Sequence, residues 1–239
     1  MSIARKGVGA RANLRALGSQ IHPVFMLPPF AASWFGAVVA GDLALGVGFV
    51  HAVAICFAVY VAHVKDGYVD FYRRDEDEDH PLTRRGCGLA LAGATVGFAA
   101  CLAVLAVFAG PVSALLTLPT WLLGYLHAPQ FDTNPITTTL GYPTGIALAI
   151  LGGFHVQAGS LDSIVLGYAA VFVIALAGVK IIDDEQDFSY DQSIDKRTVA
   201  VVLGRSRARL AAFGLLGLSC LAVLWGTFPG SFQPPRPRP

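Results

Sequence analysis

Two groups of carboxylates hold most of the chemistry this sequence can do. Asp66, Asp70, Asp75, Glu76, Asp77, Glu78 and Asp79 form the first, and Asp183, Asp184, Glu185, Asp187, Asp191 and Asp195 the second. Thirteen of the sixteen acidic residues therefore fall in two patches. Asp66 and Asp70 are spaced i, i+4 and share a helix face, with His63 one turn before them. Asp187 and Asp191 repeat the spacing, with Asp183 a turn earlier and Asp184 beside it. Crowded carboxylates repel one another unless a cation compensates them. Hard oxygen ligands suit Mg²⁺, which takes one or two carboxylates, keeps several waters and bridges to substrate phosphates. The expectation is that Asp66 and Asp70 face Asp187 and Asp191 across one site as its catalytic set. Asp183 and Asp184 complete the candidate metal ligands, and a diphosphate sits between. Glu76, Asp77, Glu78 and Asp79 read instead as a solvated acidic loop.

The elements that must position these groups are apolar helices. Of 239 residues, 54% are hydrophobic and 14% charged, against roughly 25% charged in an average soluble domain. Mean hydropathy is +0.59. Disorder needs the opposite composition. A net charge of +1 gives no basic surface for nucleic acid. Cys56, Cys87, Cys101 and Cys220 lack metal-ligand spacing. Uncharged runs cover residues 16–41, 43–64, 86–131, 133–161, 163–179 and 210–235. A spanning helix needs about 20 apolar residues. Five runs fit one span each, and the longest, broken at Gly110-Pro111, fits two. The sequence thus predicts an all-α polytopic membrane bundle of seven helices. His22-Pro23, Pro28 and Pro29 predict a bent or late start to the first.

Three regions are expected: a basic N-terminal segment (1–20), one membrane domain (21–228) and a Pro/Arg-rich tail (229–239). Fifteen of the seventeen Lys and Arg residues fall on one side of the predicted spans, as do both acidic patches. Positive-inside bias makes that side cytoplasmic, in a protein integral to the cell membrane.

Lys65-Asp66-Gly67-Tyr68-Val69-Asp70, followed by His80-Pro81-Leu82-Thr83, resembles the first Asp-rich motif of the UbiA-type intramembrane prenyltransferases. Asp187-Phe188-Ser189-Tyr190-Asp191, followed by Asp195-Lys196-Arg197-Thr198-Val199 and Leu203-Gly204, resembles the second. Tyr125-Leu126-His127-Ala128-Pro129 is similar to a Tyr-Ser-x-x-Pro element of relatives. The resemblance runs from residue 22 to about residue 225. It implies a helical bundle around a central cavity, with Mg²⁺ held by the two Asp motifs and a prenyl diphosphate as donor. A lipophilic acceptor (a quinone precursor, lipid or polyene) receives the prenyl group within the bilayer.

Several positions depart from the pattern. Lys65 replaces a leading Asn, the second Asp falls at i+4, Arg73 stands where relatives often have Asp, and residues 127–139 carry no Lys or Arg. Lys65, Arg73, Arg74, Lys180, Lys196 and Arg197 are the cations left to bind diphosphate. Relatives have nine helices, so seven imply a shortened member or a truncated reading frame. Two further readings stand beside the enzyme. One is a non-catalytic relative; the other is an ion-binding transporter, which predicts ionisable groups lining a path through the spans.

Overall fold

The computed structural model describes residues 2–226, and the all-α expectation holds for them. Their one β pairing is an isolated antiparallel bridge between Ala4 and Leu82. Ten helices follow in order: α1 (Ala10–Gly18), α2 (Pro23–Val39), α3 (Leu45–Val69), α4 (Arg84–Phe108), α5 (Pro111–Leu126), α6 (Pro135–Ala158), α7 (Ser163–Gln186), α8 (Phe188–Ser193), α9 (Val199–Leu203) and α10 (Arg205–Gly226). The expected tail at 229–239, and the last two residues of the 21–228 region, lie outside the described residues.

Helix starts follow from local chemistry. Thr83 accepts from the Gly86 amide at 2.9 Å to open α4, and Asp162 accepts from Val165 at 2.9 Å to open α7. Asn134 caps α6 with Pro135 in the first turn. The predicted break falls at Gly110, whose φ of 89° suits glycine, with Pro111 starting α5.

All seven expected helices are present, as α2 to α7 and α10. Five are long and apolar enough to cross a bilayer alone: α3 with its continuation to Arg74, α4, α6, α7 and α10. Helices α1 and α2 qualify only together, as a pair bent by 64°, which realises the bent start predicted from the prolines. Helix α5 has 16 residues, just under the roughly 17 that spanning requires.

Helix α6 is the axis of the bundle, packed against α2, α3, α5 and α7; α4 lies on α3 and α5, and α10 on α7. Around it Ile55, Ile146, Ala149, Ile150 and Phe154 form the largest core cluster. Glycines set the closest crossings. A Cβ at Gly36 would stand 2.0 Å from the Ile150 carbonyl, and one at Gly153 2.0 Å from that of Ser33, so α2 and α6 touch backbone to backbone. The outward faces of α4, α5 and α10 show Val96, Val107, Phe108, Leu115, Leu210 and Phe213. So large an apolar surface needs a bilayer around it. The protein is an integral membrane protein. Two histidines inside the bundle each meet a serine: Ser33 Oγ lies 2.7 Å from His51 Nδ1, and Ser113 Oγ 2.9 Å from His155 Nδ1, while the buried His51 Nε2 has no partner.

Candidate active site

Both acidic patches lie at one end of the bundle, where α3 and α7 finish and α4, α6 and α10 begin. There a cavity of about 230 Å³ is lined by Asp66, Asp70, Arg74, Glu76, Asp77, His127, Asp132, Lys180, Tyr190 and Lys196, with Thr137 and Thr138 beneath. The two motifs meet directly. The Tyr190 hydroxyl donates to Glu76 Oε2 at 3.1 Å, joining α8 to the segment that follows α3. Burial first, and then the Glu76 carboxylate, push that hydroxyl's pKa up.

Asp66 and Asp70 project from the last turns of α3, as the spacing predicted. Beyond Asp70 the helix widens into a π-type turn over Asp70–Arg74. A wider turn brings back the residue four on from Asp70, so Arg74 faces the cavity and Arg73 does not. Arg74 reaches three carboxylates: Asp132 at 2.9 Å, Asp70 at 3.5 Å and Glu76 at 3.6 Å. Arg73 lies instead over the Tyr68 ring, 5.8 Å from its centroid. Lys65 is drawn off onto the Tyr125 ring at 4.1 Å, and so does not compete for metal at the cavity.

The second motif is arranged differently from the simple pair of facing carboxylates. Asp191 is buried and ion-paired with Lys196 at 3.6 Å, while Asp184 is buried and bonded to Lys180. Both lysines line the cavity; Asp183, Asp184, Asp187 and Asp191 do not. Asp183 and Asp187 are exposed, with Asp183 3.6 Å from Lys180 and Asp187 at the junction of α7 and α8. Desolvation raises the Asp191 pKa, and Lys196 opposes that rise. For Lys196 itself burial lowers the pKa, but Asp191, Asp132, Asp184 and Asp66 around it outweigh burial and leave it raised. A charged lysine therefore sits amid the carboxylates of both motifs. Arg197 is exposed, and its amide donates to the Asp132 carbonyl at 2.9 Å.

Two corrections to the sequence reading follow. Glu76 is not a solvated loop residue: its side chain is only 10% exposed and lines the cavity with Asp77. Glu78 is exposed as expected, whereas Asp79 pairs with Lys6 at 2.5 Å and Arg5 at 3.7 Å. Asp132 was also passed over. Its one sequence signal is that it interrupts an otherwise uncharged stretch from 86 to 161. A lone charge there needs a partner, and Arg74 is that partner.

The donor set fits Mg²⁺. Among the described residues no three His, Cys, Asp or Glu side chains are close enough to enclose an ion by themselves. That agrees with an ion that takes one or two carboxylates and completes its shell with water and phosphate. The buried Oδ2 atoms of Asp184 and Asp191 have no hydrogen-bond partner, so acceptor capacity remains at the second motif as well.

A seven-helix apolar bundle with a carboxylate- and lysine-lined cavity at one end is the build of an intramembrane prenyltransferase. The chain superposes on a UbiA homolog from Archaeoglobus fulgidus bound to GPP and Mg²⁺ with a TM-score of 0.71, at 16% identity, covering 90% of this chain and 77% of that one. The same homolog bound to DMAPP and Mg²⁺ gives 0.64 at 17% identity, with 90% and 77% covered. No family model matches the chain. A 1,4-dihydroxy-2-naphthoate octaprenyltransferase of Mycobacterium tuberculosis is 30% identical over 232 residues, which span 91% of this chain and 76% of the relative. The chain belongs to the UbiA family of prenyltransferases.

Proposed function

We propose that the chain transfers a prenyl group, with Mg²⁺, from a prenyl diphosphate to a lipophilic acceptor in the bilayer, and that the acceptor is an aromatic quinone precursor. The observation that carries the reading is the cavity itself. Two carboxylates one turn apart, Asp66 and Asp70, face the ammonium groups of Lys180 and Lys196 at the end of an apolar bundle. The aromatic acceptor is supported by the Mycobacterium tuberculosis relative, whose name gives 1,4-dihydroxy-2-naphthoate.

Asp66 and Asp70 would hold the metal from α3; Asp183, Asp184, Asp187 and Asp191 stand outside the cavity wall, and the unpartnered Oδ2 atoms of Asp184 and Asp191 are the oxygens the second motif would bring to it. When bound, Mg²⁺ supplies a Lewis acid for the charge that gathers on a leaving diphosphate. Lys180 and Lys196 donate N–H bonds to phosphate oxygens, and Arg74 adds a planar donor once its carboxylates turn to metal. These donors stand in place before the allylic C–O bond breaks, so they favour the separated charge over the intact ester. The electron pair leaves with the diphosphate oxygen. The acceptor carbon forms the new bond to the prenyl C1 and sheds a proton. Positive-inside bias supports a cytoplasmic position for the cavity.

The experiment is incubation of membranes holding the chain with Mg²⁺, labelled prenyl diphosphates of several lengths and 1,4-dihydroxy-2-naphthoate. A prenylated product and released diphosphate are expected, both lost with EDTA. Asp66→Ala and Asp187→Ala should each cut release by about 10²-fold or more, the scale of losing one electrostatic contact to a developing charge. Both variants retaining wild-type turnover would refute the site, and no release from any donor would refute the activity.

A further inference from the structure

A second cavity lies at the same end of the bundle but opens sideways, between α1, α3 and α4. Its volume is about 540 Å³, and Leu17, Ile21, Cys56, Phe57, Leu89 and Gly93 are among its walls. Its polar wall atom, the Tyr60 hydroxyl, is turned away to the Leu17 carbonyl at 3.0 Å. None of the diphosphate-site residues reaches it.

Helix α1 roofs this cavity and has the character of a helix lying in the membrane surface. It meets α2, whose 17 residues reach the lower limit of about 17 for a span, at 64°. Ala16 is buried against Val64, Leu82 and Cys87, which fastens α1 to the bundle. Leu14 on α1 (69% exposed) and Ile21, Val24 and Phe25 after it are all exposed, Leu14 and Ile21 at the cavity itself. Arg11 lies three residues before Leu14, and Arg15 three before Gly18, both of which line the cavity. By helix spacing the two guanidinium groups therefore border its mouth. Both are exposed, and among the described residues neither guanidinium group has an ion-pair or hydrogen-bond partner. Arg5 and Lys6, by contrast, are committed to Asp79. Two unpaired cations at the rim of an apolar slot, on an interfacial helix, complement an anion that carries a hydrocarbon chain.

We infer that this cavity is a binding site for an anionic phospholipid of the surrounding leaflet. One acyl chain fills the slot between α1, α3 and α4, and the headgroup phosphate is held by Arg11 and Arg15.

The test uses the purified full chain in detergent and counts bound lipid by native mass spectrometry, with dioleoyl phosphatidylglycerol and dioleoyl phosphatidylcholine as probes. The phosphatidylglycerol is expected to bind about tenfold more tightly, the scale of one to two basic residues at a membrane surface. The double variant Arg11→Gln/Arg15→Gln should bring that preference to about unity. Gly93→Leu, at a position whose missing Cβ meets nothing within 4 Å, should fill the slot and remove the bound lipid. In the wild-type chain, rising salt should erase the headgroup preference, a readout independent of any variant's folding. Equal binding of the two lipids, or a preference that survives both the arginine changes and high salt, overturns the headgroup assignment. Unchanged lipid stoichiometry in a folded Gly93→Leu chain, or displacement of phosphatidylglycerol by geranylgeraniol with Arg11 and Arg15 irrelevant, overturns the acyl-chain assignment.

Discussion

Lys196 shows how a single side chain binds two distant pieces of sequence into one site. It lies among Asp191, Asp132, Asp184 and Asp66, which belong to both acidic motifs and to the α5–α6 connection. Its folded pKa is raised above the ordinary lysine value, so its stabilising contribution is complete below about pH 10.4 and is lost only as pH rises through the folded value. Lys196→Met leaves the buried Asp191 without its ion-pair partner. It should lower Tm by at least about 3 °C, the response of a chain this size to about 1 kcal/mol. That gap should stay flat from pH 7.5 to pH 9.5, and Lys196→Arg should recover most of it; a gap that closes before pH 9.5 contradicts the charge assignment. At this scale the sequence was informative about residues whose spacing is local. Asp66 and Asp70 are legible because i, i+4 is a property of one helix. The pairing of Arg74 with Asp132, and of Tyr190 with Glu76, is not, because each joins residues more than fifty positions apart through tertiary packing. Choosing Arg74 over Arg73 needed the π-type turn, for which the sequence offers only the unusual i+4 offset of Asp70.

At the scale of elements, the seven helices were legible because charge is so costly in a bilayer that uncharged runs mark spans by their length alone. How the helices approach one another was not legible, since small residues matter only where a facing backbone comes close. The α2–α6 crossing makes this concrete. Gly36 and Gly153 each lie against a carbonyl of the opposite helix, so an added methyl meets rigid backbone and not the end of a flexible side chain. Gly36→Ala and Gly153→Ala should each force the helices apart at a cost of about 1–3 kcal/mol, as overpacking does. Thermal unfolding in detergent should show it, as should weakened protection of the α2 amides in hydrogen exchange. Gly88→Ala, where a Cβ meets nothing within 4 Å, is the control and should leave both readouts unchanged. If the two crossing variants match the control, contact between the backbones of α2 and α6 is not what holds them.

Over the whole molecule the charge is nearly balanced but strongly segregated. A net charge of +1 conceals one end of the bundle that carries both acidic motifs and fifteen of the seventeen basic residues. The cavity needs that segregation, because carboxylates and lysines facing one another are tolerable only where water and phosphate can reach them. Segregation also predicts a topology, since positive-inside bias favours the cytoplasmic side for lysines and arginines beside spanning helices. If both effects act on the same end, the diphosphate cavity opens to the cytoplasm, where charged prenyl donors need no passage across the bilayer. Glu78 is a suitable reporter, being exposed at that end and free of the ion pairs that hold Asp79. In Glu78→Cys, a membrane-impermeant thiol reagent should label inverted membrane vesicles well above the unmodified chain, whose four cysteines set the background. Right-side-out vesicles should show no such increment. Labelling from the outer face alone would reverse the orientation and require donors to arrive from outside, while equal labelling of both preparations would mean that mixed topologies are inserted and that charge segregation does not direct insertion.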